Sequence, residues 1–208
     1  MTLALFGAAR SVFVRATRLA LEEKGVAYTL HNAPPHAADV LAVNPFGKIP
    51  IMRHGGVSLF ESLAIMIYAD ATFAGPKLFP NDAHRAALII QWSSAVGATV
   101  FPALVGYMHA NAFPAGPDGA RDLRAIEELL PRVRTQIGIL DTAIAATGYL
   151  AADTFTPADM YLLPILAYLR TFPESAEILA RAKNLGPYFE RHALRKSFRA
   201  TEPEISAP

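Results

Sequence analysis

Glu61 and Ser62 are adjacent residues whose side chains could hold a ligand that carries both charges. Ser62 opens the predicted helix 62–73, where a serine is a favoured N-cap. The N–H groups at a helix N-terminus attract an anion such as a carboxylate, and Glu61 beside them can pair with an ammonium group. The two residues therefore suit a carboxylate and an ammonium group on one carbon. A plain helix cap and a solvated charge would explain the same residues.

A proline lies where a strand is expected to begin, at the end of the motif NPFGKIP in residues 44–50. Because proline has no backbone N–H, Pro50 cannot donate to a neighbouring strand. One explanation is that the backbone here is reserved for a ligand. The other is a plain β-turn before an edge strand.

The composition excludes several kinds of chemistry. The 208 residues include no cysteine, which rules out disulfides, thiolate metal sites and a protein thiol nucleophile. Any nucleophile must be an oxygen, a nitrogen or a group that the substrate supplies. The 19 Lys and Arg residues nearly balance the 18 Asp and Glu residues, so no strong field attracts nucleic acid or anionic lipid. A small neutral or weakly charged ligand is expected.

Two stretches bear on location. Arg10, Arg15 and Arg18 interrupt the N-terminal apolar segment, so we expect no export signal and a cytoplasmic protein. Residues 86–117 contain no Asp, Glu, Lys or Arg and are long enough to span a bilayer. Polar residues and a proline interrupt this run, which favours a buried helix lining a cavity over a membrane span: Gln91, Ser93, Ser94, Pro102, His109 and Asn111.

Apolar periodicity predicts a small mixed sheet in the N-terminal part of the chain. A strand, a helix stopped by Gly25 and a second strand form a β-α-β unit, for which parallel pairing is expected. A hairpin with Gly55 and Gly56 in its turn and another helix follow. The predicted elements are strands 3–7, 26–31, 49–52 and 57–60 and helices 11–24 and 62–73.

Strand signals stop after residues 75–82, and helical patterns broken by Gly and Pro fill the rest. We therefore expect a first domain at 1–75, a linker at 76–84 and an all-helical domain at 85–208. Within the helical domain, Thr156, Pro157 and Asp159 predict an N-cap, a first helical residue and a capping-box partner.

The order of these elements, with NPFGKIP and with ESLAI at 61–65, resembles the cytosolic glutathione transferases over nearly the whole chain. Four more stretches are similar to family segments in the same order: LALEEKGVAYTL, LFPNDAHRAALIIQW, YLAADTFTPADMYLLP and ERHALRKSFRAT. The resemblance implies an α/β plus all-α fold, with an N-terminal thioredoxin-like βαβ-ββα domain followed by an all-helical domain. Within the family, the resemblance is to the classes that use a catalytic serine, which are theta, phi or a related bacterial class.

The resemblance also implies a glutathione site. Pro50 is expected to follow a cis peptide bond, and the N–H and C=O of Ile49 to pair with the cysteinyl backbone of glutathione. Four other residues match the family's contacts at the two ends of the tripeptide: Glu61 and Ser62 for the γ-glutamyl end, and Lys48 and His36 for the glycine carboxylate. His36 lies in a loop whose length varies within the family.

The catalytic candidate is Ser11. In the serine classes this residue follows the first strand, four residues beyond a glycine, and Gly7 and Ser11 have that spacing. The resemblance implies that its hydroxyl donates to the glutathione sulfur and so favours the thiolate nucleophile. Ser11 as a simple N-cap is the alternative. Arg10 or Arg15 could stabilise the thiolate as well or instead.

The electrophile is expected against the second domain, with Tyr107 and Phe113 as contacts. Taken together, we expect a homodimeric glutathione transferase with glutathione as co-substrate, a hydrophobic electrophile, no metal, and no nucleic-acid or membrane partner. Two alternatives are a non-catalytic ligand-binding protein and a glutathione-dependent peroxidase or isomerase on the same fold.

Overall fold

The structure is a computed structural model that describes residues 2–112 and 120–203. The chain divides into two compact units: the first runs to Ala86 and includes the segment from Ala193, and the second is Ala87–His192. The sequence patterns predict that all of 85–208 belongs to the helical domain. The segment from Ala193 is instead part of the first unit, because it packs on the first helix of that unit.

A four-stranded mixed sheet lies at the centre of the first unit. Its strands are β1 (Leu3–Phe6), β2 (Tyr28–His31), β3 (Ile51–His54) and β4 (Val57–Phe60). They lie in the order β2-β1-β3-β4, with β1 and β2 parallel and the other two pairs antiparallel. The predicted βαβ-ββα order is confirmed, and the hairpin turns at Gly55, whose φ of 58° suits glycine.

The helices begin and end largely where local signals indicate. Ser11 is the N-cap of the first helix, and Gly25 ends it in the left-handed conformation at φ 73°. The first-unit helices are α1 (Val12–Lys24), α2 (Ala38–Leu41) and α3 (Ser62–Thr72). The later helices are α4 (Ala83–Ala95), α5 (Phe101–Ala112), α6 (Leu123–Ile144), α7 (Pro157–Thr171), α8 (Pro173–Arg181), α9 (Leu185–Ala193) and α10 (Lys196–Ala200).

The core of the first unit lies on both faces of the sheet. Because side chains alternate along a strand, Leu3 and Leu5 of β1 face α1 and α3, where Val14 and Ile65 join them. A smaller cluster on the other side contains Val40 of α2 with Ala33 and Ile51, and the partly buried Phe6 packs against it. The short helix α2 was not predicted.

In the second unit, Val96–Val100 is a π-helical turn that joins α4 to α5. Ala83–Ala112 is therefore one helix, and it is long and apolar enough to cross a membrane by length and composition alone. Core helices of soluble proteins pass the same test, so the match is weak support for a span. Only 28% of its most apolar window is buried, so the helix is buried on its inner side rather than all round.

The capping box predicted at the start of α7 is confirmed. Asp159 accepts hydrogen bonds from the backbone N–H and the hydroxyl of Thr156, both at 2.9 Å. The same buried carboxylate accepts from the N–H of Leu150 and the hydroxyl of Tyr188, also at 2.9 Å. These four donors fix the start of α7 within the second unit.

Candidate functional site

Most of the predicted site residues lie at one edge of the sheet. Phe6 at the end of β1 pairs with Ile51 at the start of β3, and Ile51 pairs with Phe60 at the end of β4. Ser11 follows β1, Ile49 precedes β3 and Glu61 follows β4, so this row of the sheet brings together the chain segments that carry them. Residues far apart in sequence thus meet at a single edge.

Gly7 makes close approach possible at this edge. A Cβ atom at Gly7 would lie 2.4 Å from Cγ2 of Val14 in α1 and 3.3 Å from Cβ of Ile49. The first of these distances is too short for any side chain. Glycine therefore allows the end of β1 to touch both the first turn of α1 and the residue before Pro50.

Ser11 lies half-buried as the N-cap of α1, with φ −66° and ψ 131°. Its Oγ accepts a long hydrogen bond of 3.5 Å from the N–H of Val14. This contact uses a lone pair of the oxygen and not its proton, and a hydroxyl has one donor and two acceptor positions. The N-cap and the predicted catalytic role are therefore compatible.

The two arginines beside Ser11 differ in their surroundings. Arg10 is exposed. Arg15 is only 4% exposed; its guanidinium lies 4.1 Å from the ring centre of Phe198 and donates to the carbonyl of Phe198 at 3.3 Å. Arg15 is thus directed toward the C-terminal segment of the first unit.

The peptide bond between Ile49 and Pro50 is cis, as the resemblance implied. Ile49 lies outside the strand that begins at Ile51. Within residues 2–112 and 120–203, neither the N–H nor the C=O of Ile49 has a backbone hydrogen-bond partner. An extended ligand would find one donor and one acceptor here.

Asn44 is a residue of this site that the sequence motifs do not predict. It is buried, its Nδ2 donates to the carbonyl of Lys48 at 2.9 Å, and its Oδ1 accepts from the N–H of Phe46 at 3.0 Å. The side chain thereby closes the turn that leads to Ile49. The Asn-Pro pair is a turn signal in the sequence, but it does not reveal which groups the amide holds.

His36 lies against Gly47, the residue before Lys48 in the chain. The N–H of His36 donates to the carbonyl of Gly47 at 2.8 Å, and His36 has a positive φ of 63°. A Cβ atom at Gly47 would lie 2.1 Å from Nδ1 of His36, so the imidazole covers the glycine. Both His36 and Lys48 are exposed.

The structure corrects one detail at Glu61 and Ser62. Glu61, and not Ser62, is the N-cap of α3; it has φ 66° and is exposed. Ser62 is the first helical residue and is buried. The helix begins at Ser62, as predicted, but its cap is the residue before it, because the cap is defined by backbone conformation and Glu61 takes that conformation without a side-chain capping bond. Glu61 nevertheless remains beside the N-terminus of α3.

The structure gives no support to the predicted electrophile contact at Tyr107. Its side chain is fully buried in the second unit, where its hydroxyl accepts from the N–H of Ser175 at 3.1 Å and donates to Glu174 at 3.4 Å. Burial raises the pKa of Tyr107 above its ordinary value, against the lowering effect of the contacts with Ser175. Tyr107 is thus a core residue with a satisfied hydroxyl. Phe113 lies outside the described residues.

Comparison with known proteins agrees with this geometry. The sequence profile of the glutathione S-transferase N-terminal domain matches residues 5–77, and that of the C-terminal domain matches residues 101–195. Among solved structures, glutathione S-transferase III in its apo form is 27% identical with a TM-score of 0.84, and the match covers 100% of this chain and 99% of the other.

Two curated relatives show the range of names among similar proteins. Glutathione S-transferase 3 of Zea mays is 30% identical over 227 residues, which cover 99% of this chain and 96% of the relative. A stringent starvation protein A homolog of Haemophilus ducreyi is 27% identical over 179 residues, 79% of this chain and 73% of that relative. With both domain profiles matched in order and a full-length relative at this identity, the chain belongs to the cytosolic glutathione transferase family.

Proposed function

We propose that this protein is a glutathione transferase that joins the glutathione thiolate to a hydrophobic electrophile. The observation that carries the proposal is the row Phe6, Ile51 and Phe60, because it gathers the segments bearing Ser11, Ile49 and Glu61 at one edge of the sheet. The names of the similar proteins support the same activity.

The peptide part of glutathione suits the groups at this edge. The N–H and C=O of Ile49 would pair with the cysteinyl backbone as an added strand does. The N-terminus of α3 would hold the γ-glutamyl carboxylate, with Glu61 against the ammonium group. His36 and Lys48 would face the glycine carboxylate, since His36 lies against Gly47, the residue before Lys48.

Ser11 would supply the chemistry. Its hydroxyl proton would donate to the sulfur, which favours loss of the thiol proton to solvent. A free thiol of this kind has a pKa of about 8.5, and a hydrogen bond to a charged group contributes roughly 1.5 to 3 kcal/mol, enough for a fall of about one to two pKa units. The thiolate then forms a C–S bond to the electrophile as the leaving group departs with its electron pair.

The test is ultraviolet thiolate absorbance of bound glutathione against pH, together with conjugation of 1-chloro-2,4-dinitrobenzene, which releases chloride. The native protein should bind glutathione with its thiol pKa lowered by about one to two units, and Ser11→Ala should return it toward about 8.5 with a loss of kcat/KM of roughly 10- to 100-fold near neutral pH. Ser11→Thr, which keeps a hydroxyl, is the matched control and should retain part of the shift.

Other results would redirect the proposal. A low thiol pKa that persists in Ser11→Ala would transfer the role to Arg10 or Arg15. Bound glutathione with an unshifted thiol, or no binding, would favour the ligand-binding alternative. Turnover of hydroperoxides without conjugation would favour a peroxidase. The homodimer, the cytoplasmic location and the absence of nucleic-acid, membrane and metal partners stay predictions.

A further inference from the structure

The segment 195–201 of the first unit, here called the C-terminal strap, lies along α1. Three side chains of α1 hold it in place. Arg15 contacts Phe198, as described above. Arg18 donates to the carbonyls of Ala200 and Thr201 at 2.9 and 3.2 Å. Glu23 binds the guanidinium of Arg195 at 2.6 and 2.8 Å and accepts from the hydroxyl of Ser197. These contacts run from the first turn of α1 to its last.

The contact nearest to the candidate site is the one between Arg15 and Phe198. Both side chains are buried, so the attraction between the guanidinium and the ring is weakly screened by solvent. The guanidinium is bound in two ways, by the ring at 4.1 Å and by the carbonyl oxygen at 3.3 Å. This double contact restricts both the direction and the rotation of the Arg15 side chain.

Arg15 is linked directly to Ser11. Its backbone N–H donates to the carbonyl of Ser11 at 2.9 Å, which is the first hydrogen bond of α1. Residues four apart share a helix face, so Arg15 lies on the same face as Ser11. A strap that fixes Arg15 therefore fixes the turn that carries the Ser11 hydroxyl.

We propose that Arg15 and Phe198 are positioning residues for Ser11: the C-terminal strap sets the first turn of α1 and thereby the direction of the hydroxyl that activates the thiol. The inference rests on the proposed function. It assigns the effect of Arg15 to geometry rather than to its charge. It also gives the last part of the chain a role in a site built otherwise from residues 7–62.

The chain offers variants that separate geometry from charge. Phe198→Leu removes the ring and changes no charge. Arg15→Lys keeps the charge but loses the planar guanidinium that stacks on the ring and donates to the carbonyl. Arg15→Met loses both the charge and the guanidinium. The matched control is Arg195→Met, because Glu23 lies twelve residues beyond Ser11, about 18 Å along the helix. This control loosens the same strap far from the site.

The experiment is the thiol pKa of bound glutathione, measured by thiolate absorbance, with kcat and KM for 1-chloro-2,4-dinitrobenzene conjugation and the Tm of each variant. Phe198→Leu, Arg15→Lys and Arg15→Met should each raise that pKa by about half a unit to one unit, with a loss of kcat/KM near pH 6.5 of about three- to tenfold. KM for glutathione should stay within about twofold, since its contacts lie elsewhere. Arg195→Met should lower Tm and leave the pKa unchanged.

Two results would overturn the inference. An unchanged thiol pKa in Phe198→Leu, with only Tm lowered, would make the strap a stabilising element alone. A pKa that rises in Arg15→Met but stays low in Arg15→Lys and Phe198→Leu would assign the effect to the charge.

Hydrogen exchange of the ligand-free protein distinguishes this inference from the proposed function. Phe198→Leu should speed amide exchange in residues 14–17, whose N–H groups bond back to the first turn, while Arg195→Met should speed it only in the last turn of α1. If the native thiol pKa is low but exchange at 14–17 does not respond to Phe198→Leu, the inference fails alone. If the native protein leaves the pKa of the glutathione thiol unshifted, the proposed function fails. The positioning of a catalytic hydroxyl then fails with it, whatever the exchange rates are.

Discussion

At the scale of single residues, Asn44 shows how one buried amide can fix the conformation of a ligand-binding segment of which it is not itself part. It donates to the carbonyl of Lys48 and accepts from the N–H of Phe46. The two bonds close the turn immediately before Ile49, whose backbone is proposed to bind the ligand. Asn44 is therefore expected to affect affinity for glutathione through the turn.

Asn44→Ala should raise KM for glutathione by about tenfold and lower the free energy of unfolding by about 1 to 2 kcal/mol, because both hydrogen bonds are lost. The measurements are steady-state kinetics with varied glutathione and denaturant unfolding. Asn44→Asp is the control: it keeps the acceptor for Phe46 but cannot donate to Lys48, so its effect on KM isolates the second bond. A stable variant with native KM would show that other contacts hold the turn.

At the scale of elements, a buried ion pair joins the end of α1 to α3 and to the chain that leaves it. Nζ of Lys24 lies 2.9 Å from Asp70, and the two side chains are 1% and 7% exposed. The carboxylate also accepts from the N–H groups of Leu78 and Phe79 at 2.9 and 3.3 Å. Burial raises the pKa of Asp70, but these N–H groups and Lys24 outweigh it, so the pKa lies below its ordinary value.

Because the folded protein favours the ionised carboxylate, Asp70 contributes stability above its unfolded pKa of about 3.9, and this contribution is lost as pH falls through the lowered folded value. Asp70→Asn should lower the free energy of unfolding by about 3 kcal/mol at pH 7, since Lys24 is left buried without its counter-charge. Between pH 5 and pH 3, the free energy of unfolding should fall less in the variant than in the native protein. Denaturant unfolding across this range measures both effects.

The control for that comparison is Glu128→Gln, which removes an exposed pair with Arg124 whose side chains are 65% and 89% exposed. It should change the free energy of unfolding by less than about 0.5 kcal/mol at any of these pH values. Equal acid sensitivity in the native protein and Asp70→Asn would contradict the prediction.

The elements also show what the sequence can and cannot reveal. Gly25 as a helix stop, the Gly55-Gly56 turn and the Thr156 capping box are local signals, and each was predicted correctly. The contact of Arg15 with Phe198 joins residues 183 positions apart, and no local pattern carries such information. The helix α2 has four residues, too few for a periodic pattern. The candidate site was predictable as a set of motifs, but the groups that position them were not.

At the scale of the whole molecule, one face of the helix Ala83–Ala112 has the composition expected of an interface with another protein chain. Residues 86–112 contain no Asp, Glu, Lys or Arg, although much of the helix is exposed. Most of the exposed residues follow helical spacing along one side: Ala87, Ile90, Gln91, Ser94, Ala98, Pro102, Gly106 and His109. A second copy of the same chain would bring an equally uncharged surface against it, which avoids the cost of desolvating charges.

The predicted homodimer should therefore sediment at about twice the chain mass of 22.4 kDa. Ile90→Glu, at a residue 38% exposed on this face, should shift the protein toward the monomer, because each copy would bury an unpaired carboxylate. Leu194→Glu is the matched control, since Leu194 is 67% exposed and lies outside the face, and it should leave the mass unchanged. Sedimentation equilibrium over a range of concentrations measures the shift. A native protein at the monomer mass, or a dimer that persists in Ile90→Glu, would show that this face is not the site of association. Dissociation caused by Leu194→Glu alone would instead place the interface near Leu194.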